Sequence, residues 1–450
     1  MFHHNSIYTF RSDINYTFLG FFIFFFILIF LSAGKTAAQN PGRENTKAFR
    51  GQTMGTTWKV VLVTDSSSIQ DTDIQSVLDS VDQCMSTWKP DSELSRINAT
   101  EDISLDISLS PQLAKVLITA QEISKQTNGA YDITVGPLVN LWNFGPGGEY
   151  EKAVTPPKEE MLTAVREKCG FSAIQVRTHE DGTYKLHRKK TGLYLDLSSI
   201  AKGYAVDEVA HFLTQRGFTR FMVEVGGEVR VKGRNANGNP WNIGIENPTA
   251  GEFSLYGSVK MEDGALASSG GYRNFRKLST GETVSHILDP RTGFPVTHHV
   301  LATSVLAPSC MEADAWATAI MVLGPRETEK LIAEKQIPEL QLLFLTWDEK
   351  GDRMSPQNVL AYNHNFPIIT LSQTLDAPQL TDKKDQYNLN RLFQFLLPFL
   401  AFLCFFVGIG LNQLLGRRRM MCSCKTAKAM EVERQNLIKT IRPKDEEHFQ

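Results

Sequence analysis

The sequence predicts a single mixed α/β (α+β) domain, held between an N-terminal signal or anchor segment and a C-terminal transmembrane helix. Three observations carry this. Of the 450 residues, 42% are hydrophobic and 21% charged, the balance of an ordinary globular chain. Between about residues 50 and 366, strand-like stretches rich in β-branched residues mix with stretches of helical spacing, without internal repeats. Outside that span stand two uncharged apolar runs, FLGFFIFFFILIFLSA at 18–33 and LFQFLLPFLAFLCFFVGIGLNQLL at 392–415.

The first run has the length of a signal peptide, and small residues follow it in GKTAAQN, so residues 1–39 read as a signal peptide or, alternatively, an uncleaved anchor. The second exceeds the roughly 20 apolar residues that a bilayer requires. Pro398 is tolerable within a spanning helix. Arg417, Arg418 and Arg419 assign its far end to the cytoplasm. The organisation expected is a domain at 40–369, a linker at 370–390, a transmembrane helix at 391–416 and a basic cytoplasmic tail at 417–450. The domain would then face the periplasmic or extracytoplasmic side of the inner (cytoplasmic) membrane. A formal charge of −2 offers no case for nucleic acid as a partner. Cys84, Cys169 and Cys310 are scattered and odd in number, so no disulfide framework is expected. Cys422 and Cys424 form a C-x-C that either binds metal, does redox work or arises by chance, since two thiols do not complete a tetrahedral site.

In chain order, QTMGTTWKVVLVT is a turn feeding a strand. IQSVLDSVDQCMSTW has helical spacing. So has SPQLAKVLITAQEISKQTNG, with Ser110 as N-cap, Pro111 at the first helical position and Asn128-Gly129 as the stop. TGLYLDLSS reads as a short strand running into the helix SIAKGYAVDEVAHFLTQRG, which Gly217 ends. RFMVEVGGEVRVKG alternates like strands broken by a double glycine.

Four stretches could carry chemistry. In EADAWATAIMVLG, the Ser309/Glu312 capping box starts a helix just ahead of Asp314, and Thr318 follows four residues later on the same face. Either Asp314 complements the helix dipole while Thr318 bonds back to a carbonyl, or the two are oxygen ligands for a hard cation such as Mg²⁺. In LDLSSIAKGYAVDEVA, Asp196 ends the strand, Ser198 or Ser199 caps the helix, and Lys202 lies in its first turn. A lysine there opposes the helix dipole. It is a solvated lysine or a partner for a bound phosphate. Gly226-Gly227, flanked by Glu224 and Glu228, is a hairpin turn or a place where a ligand approaches the backbone. SHILDPRTGFPV contains turn chemistry and His286, a structural histidine or a general base; ALASSGGYRNF upstream adds Arg273.

Together these stretches resemble the ApbE family of FAD:protein FMN transferases. MGTTW, TWKPDSELSRIN, GAYDITVGPL, DLSSIAKGYAVD, VEVGGEV, SSGGYRNF, SHILDPRTGFPV and DAWATA match its pattern in order, over about residues 48 to 365. The resemblance implies an ApbE-type catalytic domain that uses Mg²⁺ to split FAD and attach FMN, through a phosphoester, to a threonine of a target protein, releasing AMP. It implies metal ligation by Asp314, Thr318 and the position of Ser199, there through its carbonyl or its side chain. It implies FAD contacts at Met54, Trp88, Ala130, Tyr131, Asp132, Asp196, Lys202 and Leu288 or its neighbour Ile287. Trp88 stands where relatives often carry tyrosine, so a hydroxyl hydrogen bond would be lost there. Lys202 would neutralise phosphate charge and His286 would accept the acceptor's proton. Acceptors in such a family include membrane redox subunits, such as those of sodium-translocating NADH:quinone oxidoreductase. The alternatives are an FAD pyrophosphatase giving FMN and AMP, and a non-catalytic, membrane-anchored flavin-binding protein. The tail after the second apolar run departs from the family plan.

Overall fold

The structure, a computed structural model, describes residues 44–370 apart from 67, 147, 149–154, 250–253, 272–273 and 348–358. The chain divides into two units, Met1–Thr374 and Leu375–Gln450, and every described residue belongs to the first. Both apolar runs, Arg273 and the C-x-C lie outside the described residues. Among those described, no helix is long and apolar enough to cross a membrane.

The domain opens with a hairpin of β1 (Thr46–Thr53) and β2 (Thr56–Val63), closed by Met54 and Gly55 at φ 48° and 73°. Two successive positive φ values give the turn the hand that matches strand twist. Helices α1 (Asp71–Met85) and α2 (Glu93–Ala99) follow, then β3 (Ile107–Leu109) and α3 (Pro111–Gln126). The Ser110 side chain caps α3 as its sequence predicts, accepting from Leu113 N at 3.2 Å. Short helices α4 (Gly136–Leu141) and α5 (Glu159–Arg166) lead to β4 (Ile174–Thr178) and β5 (Tyr184–Arg188).

The segment TGLYLDLSS differs from its expectation. Residues 193–197 belong to no strand. Their backbone groups go elsewhere: Leu195 N and O bond the Asn98 side chain at 2.7 and 2.9 Å, and Asp196 N bonds Ile133 O at 2.8 Å. A chain satisfied this way needs no ladder. Helix α6 (Ala201–Gln215) follows, then β6 (Phe221–Val225), β7 (Glu228–Lys232), β8 (Trp241–Glu246), β9 (Leu255–Met261), β10 (Gly264–Gly270), β11 (Phe275–Lys277) and β12 (Thr283–Ser285). The last elements are β13 (Val300–Ala307), α7 (Cys310–Ala333), β14 (Gln341–Trp347), β15 (Val359–His364) and β16 (Ile368–Thr370). Helix α7 breaks at Gly324, φ 71°, before Pro325.

The central sheet has eight strands in the order β1-β2-β6-β7-β10-β13-β14-β15, with antiparallel neighbours. Because side chains alternate between faces, Val60, Leu62, Val223, Ala265, Ala267 and Phe344 join the cluster that includes α1, α3, α6 and α7. Val229, Val231, Leu266, Leu343 and Leu345 join the opposite cluster, beneath the three-stranded sheet β16-β9-β8. The result is helices, large sheet and small sheet in three layers. Two smaller sheets, β3-β5-β4 and the ribbon β11-β12, complete it.

Candidate active site

Helices α6 and α7 cross where Gly203 faces the start of α7. A Cβ on Gly203 would lie 2.2 Å from Cys310 O and 2.7 Å from the Asp314 Cβ, so only glycine permits this approach. The crossing sets Asp314, buried, against the first turn of α6: Asp314 Oδ2 accepts from Gly203 N at 2.9 Å, and Oδ1 lies 3.7 Å from Lys202 Nζ. Lys202 also donates to Glu228 Oε1 at 2.8 Å. Glu228 begins β7, immediately after the two-residue turn Gly226-Gly227, whose φ values are 61° and 105°. The paired glycines therefore make a hairpin turn and also line a cleft. A Cβ on Gly226 would approach Thr56 Cγ2 to 2.9 Å and Lys202 Cδ to 3.4 Å.

Two buried carboxylates thus share one ammonium. Burial favours the neutral amine of Lys202, but Asp314 and Glu228 outweigh it and hold the ammonium above its ordinary range. Burial raises the Asp314 carboxyl, opposed by Lys202. Burial, opposed by Lys202 and reinforced by Asp314, pushes Glu228 up to about 7. Glu228 Oε2 is buried without a hydrogen-bond partner among the described residues.

This arrangement fits a divalent cation. Asp314, Thr318 and Ser199 line one cleft and carry oxygen donors of the kind that Mg²⁺ takes, and Glu228, paired with Lys202 through Oε1, keeps its other buried oxygen free of hydrogen-bond partners among the described residues. No cluster of three or more His, Cys, Asp or Glu ligands occurs among the described residues. Mg²⁺ needs none, since it keeps waters and substrate phosphates in its shell. Thr318 bonds no helix carbonyl here; its Oγ1 lies 3.1 Å from Ser269 Oγ on β10.

The expected serine caps are absent. The α6 N-cap is Ile200, without a side-chain bond. Ser198 is held by Asp196 Oδ1, which also accepts Ser198 N at 2.8 Å, while Ser199 Oγ donates to Tyr131 Oη at 3.0 Å. These competing partners take the hydroxyls that a cap would need. Burial keeps the Tyr131 phenol protonated well above its ordinary range. It also raises Asp132, against the bonds this carboxylate accepts from Thr134 N and Oγ1 at 2.8 and 2.7 Å.

His286 follows β12 directly. Its Nδ1 lies 2.9 Å from Asn274 O. A carbonyl only accepts, so Nδ1 carries the proton and Nε2 keeps its lone pair. Burial lowers its pKa, Lys202 adds to that, and the Asn274 bond opposes both.

One cleft of about 550 Å³ is lined by Trp88, Ala130, Tyr131, Asp132, Asp196, Ser199, Lys202, His286, Ile287, Leu288, Asp314 and Thr318. Trp88 stands 60% exposed at the cleft. Met54 is not among the lining residues; it sits at the β1–β2 turn. The pairing of Glu228 with Lys202 escaped the sequence, where Glu228 was only a flank of the glycines. Its position directly after a two-residue turn was the available signal. Cys84, Cys169 and Cys310 are buried and free, and burial pushes the thiols of Cys84 and Cys169 up to about 12, far from reactive thiolates.

A cleft of this volume, with a half-buried lysine, paired carboxylates and a histidine whose pKa is lowered, defines an enzyme for an anionic, nucleotide-sized ligand. The chain belongs to the ApbE family, whose model matches residues 54–344. It is 42% identical over 298 residues to the FAD:protein FMN transferase of Vibrio cholerae, spanning 65% of this chain and 86% of that protein. It is 35% identical over 337 residues to the FAD:protein FMN transferase of Klebsiella pneumoniae, spanning 73% and 93%. The solved flavin transferase ApbE from Vibrio cholerae matches with a TM-score of 0.62 at 36% identity, over 72% of this chain and 99% of that one.

Proposed function

We propose that this enzyme transfers FMN from FAD to a threonine hydroxyl of a target redox protein, in a Mg²⁺-dependent reaction that forms a phosphoester and releases AMP. The observation that carries the reading is the convergence of Lys202, His286, Asp314 and Thr318, remote in sequence, on one cleft. Relatives named FAD:protein FMN transferase support the same chemistry. Bound by Asp314, Thr318 and the position of Ser199, through its carbonyl or its side chain, Mg²⁺ would supply charge neutralisation on the diphosphate.

Lys202 adds a fixed positive charge toward the same phosphates, and Glu228 keeps that ammonium charged and aimed. The acceptor hydroxyl oxygen bonds the flavin-side phosphorus as the bond from that phosphorus to the bridging oxygen breaks. The electron pair leaves with AMP, and the hydroxyl proton passes to Nε2 of His286, whose lowered pKa keeps it a neutral base. Trp88 offers an exposed ring to the flavin, and Ala130, Tyr131, Asp132, Asp196 and Leu288 line the rest of its bed. Met54 would reach FAD from the β1–β2 turn.

The domain works on the extracytoplasmic side of the membrane, a reading supported by the apolar run at 18–33 and by the arginines after the run at 392–415. Its acceptors are then membrane redox subunits of the kind found in sodium-translocating NADH:quinone oxidoreductase. The test mixes full-length protein, FAD, Mg²⁺ and such a subunit, with intact mass spectrometry of the subunit and chromatography of the nucleotides. One added FMN per acceptor, with AMP released, is expected. FMN and AMP without a modified acceptor would replace the reading with a pyrophosphatase, and untouched FAD with a flavin carrier.

A further inference from the structure

Asp207 lies in α6 one turn after Gly203, and the cleft does not include it. It is buried, yet it reaches two other elements, α7 and β7. Its Oδ1 accepts from Cys310 N at 3.0 Å and its Oδ2 from Met311 N at 2.9 Å, the first two amides of α7. Arg230 of β7, two residues beyond Glu228, pairs with Oδ1. Ser309 caps only the next amide, Glu312 N, at 3.3 Å. The remaining orphan donors at this helix end are therefore satisfied from another helix.

The proposed cation ligands are divided between the same two helices. Ser199 precedes α6, whereas Asp314 and Thr318 belong to α7. The helices are joined directly at Gly203 N to Asp314 Oδ2 and at Asp207 to the α7 amides. On each helix the two joints lie about one turn apart, roughly 5 Å along the axis. One joint would leave a pivot; two fix both slide and rotation. Mg²⁺ demands near-ideal octahedral geometry at about 2.1 Å, so its affinity responds to small offsets between elements that share its ligands.

We propose that Asp207 is a positioning residue that sets the cation affinity of the Ser199, Asp314 and Thr318 site by locking α6 to α7. The inference rests on the metal reading given above, and the experiment separates the two. Mn²⁺ serves as the probe, because electron paramagnetic resonance counts free Mn²⁺ without turnover or FAD. In full-length protein, Asp207→Asn gives up the anionic pair of acceptors and is expected to weaken Mn²⁺ about tenfold. FAD binding in the presence of a chelator should change less than twofold. Arg230→Gln leaves both α7 amides bonded and should keep Mn²⁺ affinity within twofold.

Asp207→Glu retains charge and both acceptors but lengthens the side chain by one methylene. It is expected to fold and to weaken Mn²⁺ severalfold, which keeps the test open if the asparagine variant does not fold. A residue that only stabilised the fold would lower the melting temperature and leave Mn²⁺ affinity of the folded protein untouched. Parent-like Mn²⁺ binding in any folded Asp207 variant therefore overturns the inference. Parent-like binding in Asp314→Asn would instead overturn the metal site itself.

Discussion

The two faces of the eight-stranded sheet bury different chemistry. Beneath β8, β9 and β16 the cluster consists of Val229, Val231, Trp241, Ile243, Ile245, Val259, Met261 and similar residues, and these three strands contribute no buried charged side chain among the described residues. On the helix face, Asp207, Glu228 and Asp314 are buried close to Lys202 and Arg230. An apolar layer repays its burial in proportion to area. A layer of buried charges costs desolvation that its own pairs seldom repay. Its retention points to a ligand, and one buried Glu228 oxygen has no hydrogen-bond partner among the described residues.

The contrast breaks most sharply at Asp314. Asp314→Ala should cut Mg²⁺-dependent turnover by about a thousandfold or more, given what a cation supplies to phosphoryl transfer. Steady-state AMP release measures it, and full activity would remove the metal from this site. His286→Ala should cost about a hundredfold or more in kcat. In the parent protein, kcat/KM should rise with pH as His286 loses its proton and level off below the usual 6.5, because burial lowers its pKa. The alanine variant should lose that limb.

The sandwich face should answer in the opposite sense. Met261→Ala should destabilise the fold by about 2–4 kcal/mol, read by denaturant unfolding, with turnover per folded molecule unchanged. A turnover loss there would erase the distinction between the layers. Smallest is the effect at the cleft rim: Trp88→Ala should raise the KM for FAD by about threefold to tenfold, the scale of one aromatic contact, while Trp88→Phe changes it less.

Local patterns were legible wherever their partners were local. Ser110, Pro111 and Asn128-Gly129 bound α3; Ser309 caps α7; Gly226-Gly227 closes β6–β7. The spacing of Asp314 and Thr318 predicted a shared face, and both line the cleft. Where partners come from afar, local pattern misled. Residues 193–197 look like a strand, but Asn98 and Ile133 satisfy them, and the hydroxyl of Ser199 goes to Tyr131 instead of capping α6.

By itself, then, the sequence determined the mixed fold class, the order of the motifs and the residue types that chemistry needs. Caps, turns and periodicity act over a few residues and are written there. Only the tertiary structure decided that Lys202 stands between Asp314 and Glu228, that burial lowers the pKa of His286, and that Asp207 joins α6 to α7. Those outcomes depend on desolvation and on contacts between residues up to 112 positions apart, such as Lys202 and Asp314. No local pattern encodes them.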